Sequence, residues 1–168
     1  MQDLLVRLYA LPQLDAALAA CASHGVGIRR ALAPEKHAVR DWVRAQFASS
    51  EAEVEAAFAH VPVRCFIAVR AGVMLGFACH DVTCRNFFGP EGVAPAERGR
   101  GIGRALLLAA LHAQRAQGYA YAIIGGAGPA EFYAKTAGAV AIAGSTPGIY
   151  GGMLDRDAPP GRPPPEVA

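Results

Sequence analysis

The sequence has no long apolar run and little charge of either sign. No segment approaches the roughly 18 consecutive apolar residues of a membrane-spanning helix. The formal net charge of +2 is too small to argue by itself for nucleic acid or an anionic membrane as a partner. Because 53% of the 168 residues are hydrophobic, we predict one globular domain with a sizeable core rather than a disordered chain.

The chain also lacks the cysteine pattern of a disulfide framework or a zinc site. None of its four cysteines forms a C-x-x-C pair, so we expect reduced thiols in a cytoplasmic protein. Cys79, His80, Asp81 and Cys84 form a short cluster in which the first three residues are predicted to lie in a strand. Side chains alternate between the two faces of a strand, so His80 points away from Cys79 and Asp81, and no metal site is predicted.

A secretory signal is not predicted either. The segment Leu18–Cys21 has the composition of a lipoprotein cleavage box. The apolar core that should precede such a box is interrupted by Pro12, Gln13 and Asp15. We therefore keep the expectation of a cytoplasmic location.

The centre of the sequence is a stretch rich in glycine and arginine that leads into an apolar helix. Its candidate ligand-binding residues are Arg98, Gly99, Arg100, Gly101, Ile102, Gly103 and Arg104. Glycines allow positive φ and let the backbone approach a ligand closely. The first N–H groups of a helix lack internal partners, and the helix dipole places partial positive charge there. With arginines around it, this end of the helix is predicted to bind a di- or triphosphate group.

Three phosphate-binding loops compete for this stretch. A Walker loop needs Gly-Lys-Ser/Thr, but Gly103 is followed by Arg104. A dinucleotide fingerprint needs an acidic residue about 20 positions on, and Tyr119–Ile124 contains none. The third pattern, R-x-x-G-x-G, is met by Arg98, Gly101 and Gly103. In this pattern, and in the order of elements around it, the sequence over residues 25–154 resembles the GNAT superfamily of acyl-CoA-dependent N-acyltransferases.

The resemblance implies an α/β (α+β) fold with a mixed, mostly antiparallel central sheet flanked by helices. A splayed pair of strands in that sheet would hold coenzyme A. We expect residues 1–24 to form an extension packed on the domain edge and residues 25–154 to form the acyltransferase domain. Residues 155–168 contain five prolines and are predicted to be a flexible tail.

Local patterns predict the elements in more detail. Apolar spacing predicts a helix from Ile102 to Gln117 that exposes only a strip with Arg104, His112 and Arg115. Ser50 and Glu53 have the spacing of a capping box. The other predictions are strands at 4–9, 26–31, 64–70, 72–83, 87–94, 119–124, 140–143 and 149–154, with an irregularity at Pro90.

The resemblance also implies the chemistry, which is transfer of an acetyl group from acetyl-CoA to a primary amine of a small molecule or peptide. The arginine and glycine loop would hold the pyrophosphate, and the N–H of Val93 would stabilise the oxyanion. Tyr133 matches the tyrosine that acts as general acid, and Gly126 stands near a cofactor-contacting position. Glu91 is the first candidate for general base, and His80 and Asp81 come next.

Two other functions remain open at this point. The chain could be an acyl-CoA-binding module that senses or scaffolds without catalysing transfer. Nucleic-acid binding through the Arg-Gly-Arg-Gly segment is disfavoured, because the segment lacks interleaved aromatic residues. The sequence leaves open whether the protein forms a homodimer.

Overall fold

The computed structural model describes residues 1–154, so the predicted proline-rich tail at 155–168 lies outside the described residues. The strands are β1 (Leu4–Arg7), β2 (Gly27–Arg30), β3 (Cys65–Arg70), β4 (Val73–His80), β5 (Phe87–Val93), β6 (Tyr121–Ile124) and β7 (Val140–Ala141). The helices are α1 (Leu14–Ala22), α2 (Lys36–Gln46), α3 (Glu51–Ala57), α4 (Ile102–Ala116) and α5 (Ala130–Ala137).

All seven strands join one sheet in the order β2-β3-β4-β5-β6-β1-β7. Every neighbouring pair is antiparallel except β5 and β6, which run parallel. Helix α4 connects these two strands, as a parallel pair requires a crossover on one face of the sheet. The predicted fold class, a mixed and mostly antiparallel sheet flanked by helices, is confirmed.

The N-terminal segment is part of this sheet, and its description as an extension on the domain edge is corrected. Strand β1 lies between β6 and β7 and pairs antiparallel with both. Leu4, Val6 and Leu8 are buried in the main core, and α1 packs beside α4. The segment was placed outside the domain because it precedes the part that resembles the family, but its apolar residues are needed to complete the sheet.

The core has two parts, one on each face of the sheet. On one face, α1 and α4 cover a cluster that includes Leu106, Leu107 and Leu111. The predicted strip of α4 is confirmed, since Arg104 and Arg115 are exposed and His112 is partly exposed. On the other face, α2 and α3 cover a second cluster around Val43.

An aromatic cluster on the second face packs directly against β5. The rings of Trp42, Phe47 and Phe77 have centroids 5.8–6.3 Å apart. A Cβ on Gly92 would stand 2.8 Å from Phe47, so only glycine lets the strand lie this close to the rings. The three aromatic residues are therefore held in packing contacts beneath β5.

Two local predictions are wrong. Residues 149–154 do not form a strand but follow a short 3-10 turn, Gly148–Tyr150, because Pro147 and the positive φ of Gly148 and Gly152 favour turns over a strand. Ser50 makes no capping hydrogen bond at α3, which is preceded by the 3-10 turn Ala48–Ser50. Over residues 1–154, no helix is both long and apolar enough to cross a membrane.

Candidate active site

The candidate site is built around a split between β5 and β6. The two strands pair only at Phe87 with Ile123 and Phe88 with Ile124. Strand β6 then ends, whereas β5 continues to Val93. The register of β5 against β4 shifts opposite this point, between Ala78 and His80, which confirms the predicted irregularity near Pro90. The sheet is therefore open along the second half of β5.

Main-chain groups of β5 point into this opening. Ala94 donates its N–H to the carbonyl of Leu75 on β4, at 2.9 Å. Peptide groups alternate in direction along an antiparallel strand, so those of Val93 and Glu91 point away from β4 and into the split. The main-chain groups of Glu91 and the N–H of Val93, predicted as oxyanion donor, are available to an extended ligand that lies between the strands.

The glycine loop leads from the split to the start of α4. Gly99 and Gly101 have φ of +77° and +80°, which L side chains rarely adopt. No atom lies within 4 Å of a Cβ built on either residue, so the backbone is open on that side. Gly101 is the N-cap of α4 and offers no capping side chain. The first N–H groups of α4 therefore have no side-chain cap and can bind an anion.

The three arginines of the loop differ in whether their side chains already have partners within the protein. Arg98 donates through Nε to the carbonyl of Val93 at 3.2 Å. Glu97 pairs with Arg100 at 3.3 Å and with Arg70 at 2.5 Å, and the hydrogen bond from Arg70 lowers the pKa of Glu97. Arg104 is exposed and makes no ion pair with any residue in 1–154. The sequence did not reveal that Glu97 pairs with both arginines, because Arg70 lies far from the loop in sequence.

Glu91 has a buried carboxyl group on the α4 side of the sheet. The residue as a whole is partly exposed, but its Oε1 is covered and has no hydrogen-bond partner among the described residues. Burial raises its pKa from the ordinary 4.5 to about 8. Gly103 lies beside this carboxyl group, and a Cβ there would stand 3.4 Å from Oε1, an ordinary contact distance.

Tyr133 lies on α5, on the same side of the split as Glu91. Its ring packs at 6.3 Å from that of Phe88 and 5.1 Å from that of Phe132. Burial raises the pKa of Tyr133, and the negative charge of Glu91 raises it further. The structure thus brings together the two residues predicted to transfer protons, although 42 positions separate them in sequence.

This geometry agrees with what the chain is similar to. Residues 62–136, from just before β3 into α5, match the family described as acetyltransferase (GNAT) domain. Over these residues the chain matches a GNAT acetyltransferase domain, and the predicted recognition is confirmed. Among curated proteins, none matches the chain significantly.

Solved structures show the same fold at low sequence identity. A GCN5-related glucosamine N-acetyltransferase region of a fungal multi-domain β-N-acetylglucosaminidase has a TM-score of 0.66 at 15% identity, over 84% of this chain and 19% of that one. A GCN5-related N-acetyltransferase from Sphaerobacter thermophilus has a TM-score of 0.61 at 17% identity, over 84% of this chain and 48% of that one. A Drosophila protein has a TM-score of 0.55 at 20% identity, over 84% of this chain and 47% of that one. The chain spans less than half the length of each of these three.

Gly126 follows β6 on the opposite side of the split in the GNAT domain. Its N–H donates to Oδ1 of Asp3 at 2.8 Å, and its φ is +51°. This N–H is therefore occupied, and a cofactor contact of Gly126 stays a prediction that its other atoms would have to fulfil. Asp3 is not one of the predicted site residues, but its side chain connects the start of β1 to the loop after β6.

His80 and Asp81, the other base candidates, belong to a buried network away from the split. His80 and Asp81 are joined at 2.7 Å through Nδ1 and Oδ2, and Arg30 lies 3.4 Å from His80 Nε2. Since Arg30 can only donate, Nδ1 carries the imidazole proton. Burial alone would raise the pKa of Asp81, but hydrogen bonds from His80, Asn86 and Gln114 lower it overall. These contacts hold the start of β5 in place and leave neither residue free to act as a base.

A cavity of about 510 Å³ borders the split next to the start of α3 and the segment after β7. Gly89 and Pro90 of β5 and Gly125 and Gly126 after β6 form one part of its wall. The apolar residues Met1, Phe88 and Pro147 also line it, together with these polar side chains: Ser49, Ser50, Glu53, Thr83, Thr146 and Tyr150. Sequence reasoning missed this group, because its members come from three separate segments and form no motif.

The described part of the chain offers no metal centre. Within residues 1–154 there is no group of three or more histidine, cysteine, aspartate or glutamate side chains that could hold an ion. Cys79 is buried, and burial raises the pKa of its thiol well above the ordinary value. The chemistry available at the split is therefore that of main-chain N–H groups, arginines, Glu91 and Tyr133.

Proposed function

We propose that this GNAT domain transfers an acetyl group from acetyl-CoA to a primary amine by direct attack in a ternary complex. The observation that carries the proposal is the continuous path from the open split to the uncapped start of α4. Along this path lie the main-chain groups of Glu91 and the N–H of Val93, the open backbone of the glycine loop, and the arginines. A diphosphate attached to an extended amide-bearing arm fits such a path.

The residues present fit coenzyme A. The N–H groups at the start of α4 and the side chains of Arg98, Arg100 and Arg104 would hold the pyrophosphate. The main-chain groups of Glu91 and Val93 would pair with the amides of the pantetheine arm. When bound, acetyl-CoA supplies an activated thioester carbonyl.

The N–H of Val93 is the candidate donor to the carbonyl oxygen that becomes negative as the amine attacks. It points into the split and belongs to a backbone fixed by the neighbouring Ala94–Leu75 hydrogen bond. A donor that is already oriented before reaction stabilises developing charge without reorganising.

Tyr133 is the candidate general acid for the departing thiolate. Its raised pKa keeps the hydroxyl protonated at neutral pH, so the proton is present when the carbon–sulfur bond breaks. The rings of Phe88 and Phe132 hold the side chain in place.

Glu91 is the candidate base that takes the proton from the amine as the new carbon–nitrogen bond forms. With a pKa of about 8, it is mostly protonated at pH 7 and must first release that proton. Once deprotonated, it is a stronger base than an ordinary carboxylate, because burial disfavours its charged form. The two proton transfers balance: the amine loses one and the thiolate gains one.

Thermal shift followed by a thiol-release assay tests this proposal. At about 100-fold excess over Kd, acetyl-CoA and CoA should raise Tm by roughly 5 °C, and ATP should not. Release of free CoA thiol with a panel of primary amines would then show transfer. Binding without release would support the non-catalytic alternative, and absence of any response to CoA would contradict the proposal.

A further inference from the structure

We propose that the 510 Å³ cavity beside the split binds the acceptor, and that this acceptor is a small hydroxyl-rich primary amine of the amino-sugar class. Glu53 is the residue that anchors it. The inference rests on the proposed acetyl transfer and adds to it the class of amine.

The position of the cavity supports this assignment. Its wall includes Gly89 and Pro90, the first residues of β5 beyond its pairing with β6. Gly125 and Gly126, directly after β6, close the opposite wall. A molecule in the cavity therefore lies beside Gly89 and Pro90, which directly precede Glu91 in β5, while the glycine loop follows Val93 at the other end of the strand.

The lining has a distinct chemistry. Five hydroxyl side chains face the cavity: Ser49, Ser50, Thr83, Thr146 and Tyr150. A hydroxyl both donates and accepts hydrogen bonds, so such a wall matches a ligand that carries several hydroxyl groups. Thr83 and Thr146 already donate to Glu53 and to the carbonyl of Met1, whereas an apolar amine would offer no partner to the hydroxyls of Ser49, Ser50 and Tyr150.

The charge of the cavity lining further restricts the class of amine that can bind. Glu53 is the charged side chain of the lining, and no lysine, arginine or histidine side chain among residues 1–154 lines it. A carboxylate favours an ammonium group or hydroxyl donors, and it disfavours an amine that also bears a carboxylate. An amino sugar supplies an amine and hydroxyls without a negative charge that Glu53 would repel.

Glu53 is held in position for this role. The hydroxyl of Thr83 donates to its Oε1, and within the described chain its Oε2 makes no hydrogen bond. Burial raises the pKa of Tyr150, and the nearby charge of Glu53 raises it further, so the Tyr150 hydroxyl stays a donor close to this carboxylate. One carboxylate oxygen is thus fixed by the protein and the other is left for a ligand.

The size of the cavity also suits the class. A volume of about 510 Å³ lies within the roughly 300–1,000 Å³ of small-molecule sites. A single hexosamine fits within it, whereas a folded protein substrate could insert only one side chain.

Steady-state kinetics with three amines test the inference. The probes are glucosamine, alanine and 2-phenylethylamine, each with acetyl-CoA at saturation. We expect kcat/KM for glucosamine to exceed that for either other amine by about tenfold or more, since matched polar groups discriminate strongly against ligands that leave them unpaired. A preference for alanine or 2-phenylethylamine would overturn the inference while leaving acetyl transfer intact.

Substitution of the anchor gives the second measurement. Glu53→Gln should lower kcat/KM for glucosamine by about tenfold or more, mainly through KM, because a charge-assisted hydrogen bond is lost. Glu55→Gln is the matched control, because Glu55 lies on the same helix, outside the cavity, in an exposed pair with Arg40. The thermal shift with acetyl-CoA should be unchanged in both variants.

The other possible results of these experiments also decide whether the cavity binds an amino sugar. If Glu53→Gln fails to fold, Tyr150→Phe takes its place and should lower kcat/KM for glucosamine but not for 2-phenylethylamine. Equal values for the wild type and the folded variants would overturn the inference alone. Loss of any acetyl-CoA response in the wild type would instead remove the proposed function, and the acceptor assignment with it.

Discussion

At the scale of single residues, the carboxyl group of Glu91 is defined by what surrounds it in three dimensions. Its Oε1 lies beside Gly103 at the start of α4, and a Cβ on Gly103 would also stand 3.6 Å from the ring of Phe132. The sequence shows an acid next to the predicted oxyanion donor, but not that two helices cover it. Burial, and hence the raised pKa, could not be predicted from residue order.

The raised pKa predicts how stability depends on pH. Glu91 binds a proton more tightly in the folded state, with a pKa of about 8, than in the unfolded chain, near 4.5. Its contribution is therefore fully present below about pH 4.5 and is lost as pH rises towards 8. Each unit of difference between the two pKa values corresponds to about 1.4 kcal/mol.

Glu91→Gln isolates this effect, because glutamine resembles the protonated acid but cannot ionise. We expect the free energy of unfolding of the wild type, relative to the variant, to fall between pH 5 and pH 9. Urea titrations at several pH values measure this difference. A difference that does not change with pH would show that Glu91 has an ordinary pKa.

Tyr133 predicts a separation of turnover from cofactor binding. Tyr133→Phe removes the hydroxyl and keeps the ring contacts with Phe88 and Phe132. If the hydroxyl is the general acid, kcat should fall about 100-fold or more. The thermal shift with acetyl-CoA should remain, and unaltered turnover would return Tyr133 to a packing role.

At the scale of elements, the loop and the start of α4 form a unit that depends on glycine conformation. Gly101→Val introduces a side chain at φ +80°, on the side of the backbone left open for a ligand. We expect CoA affinity to fall about tenfold or more, measured by calorimetry, because the ligand can no longer approach the backbone.

Gly118→Val is the matched control for this prediction. Gly118 has φ of +95°, also has no atom within 4 Å of a built Cβ, and follows the opposite end of α4. Both variants should lose about 1–2 kcal/mol of stability through backbone strain. Equal CoA affinity in the two variants would argue against the loop as the pyrophosphate site.

The elements also show which signals in the sequence were reliable. Helix α4 and the strands β3 and β4 were predicted because apolar patterns within each element determine them locally. The capping box at Ser50 was wrong because the carboxylate of Glu53 accepts a hydrogen bond from Thr83, which is 30 positions away. Short motifs fail where a distant residue offers a competing contact.

At the scale of the whole molecule, the sheet depends on a strand that the family likeness does not reach. Val6 of β1 is fully buried, whereas Val140 of the edge strand β7 is 51% exposed. We expect Val6→Ala to lower the free energy of unfolding by roughly 2 kcal/mol and Val140→Ala by less than about 0.5 kcal/mol. Similar small effects in denaturant titrations would mean that residues 1–24 are an appendage after all.

The cavity could not be predicted from the sequence, because distant segments of the chain form it. Its polar lining comes from the end of α2 through α3, from the β4–β5 loop and from the segment after β7. The cofactor loop, in contrast, is one continuous stretch of sequence. A continuous loop has a readable signature, whereas a pocket assembled from distant segments exists only once the chain has folded.

The most direct test of the central claim is a crystal structure of the protein with CoA. The account predicts that the pyrophosphate contacts the backbone of Gly99–Gly103 at the start of α4. The pantetheine arm should lie between β5 and β6 and hydrogen-bond to the main chain of Glu91 and Val93. CoA bound at any other place, or no bound CoA at a saturating concentration, would contradict the account.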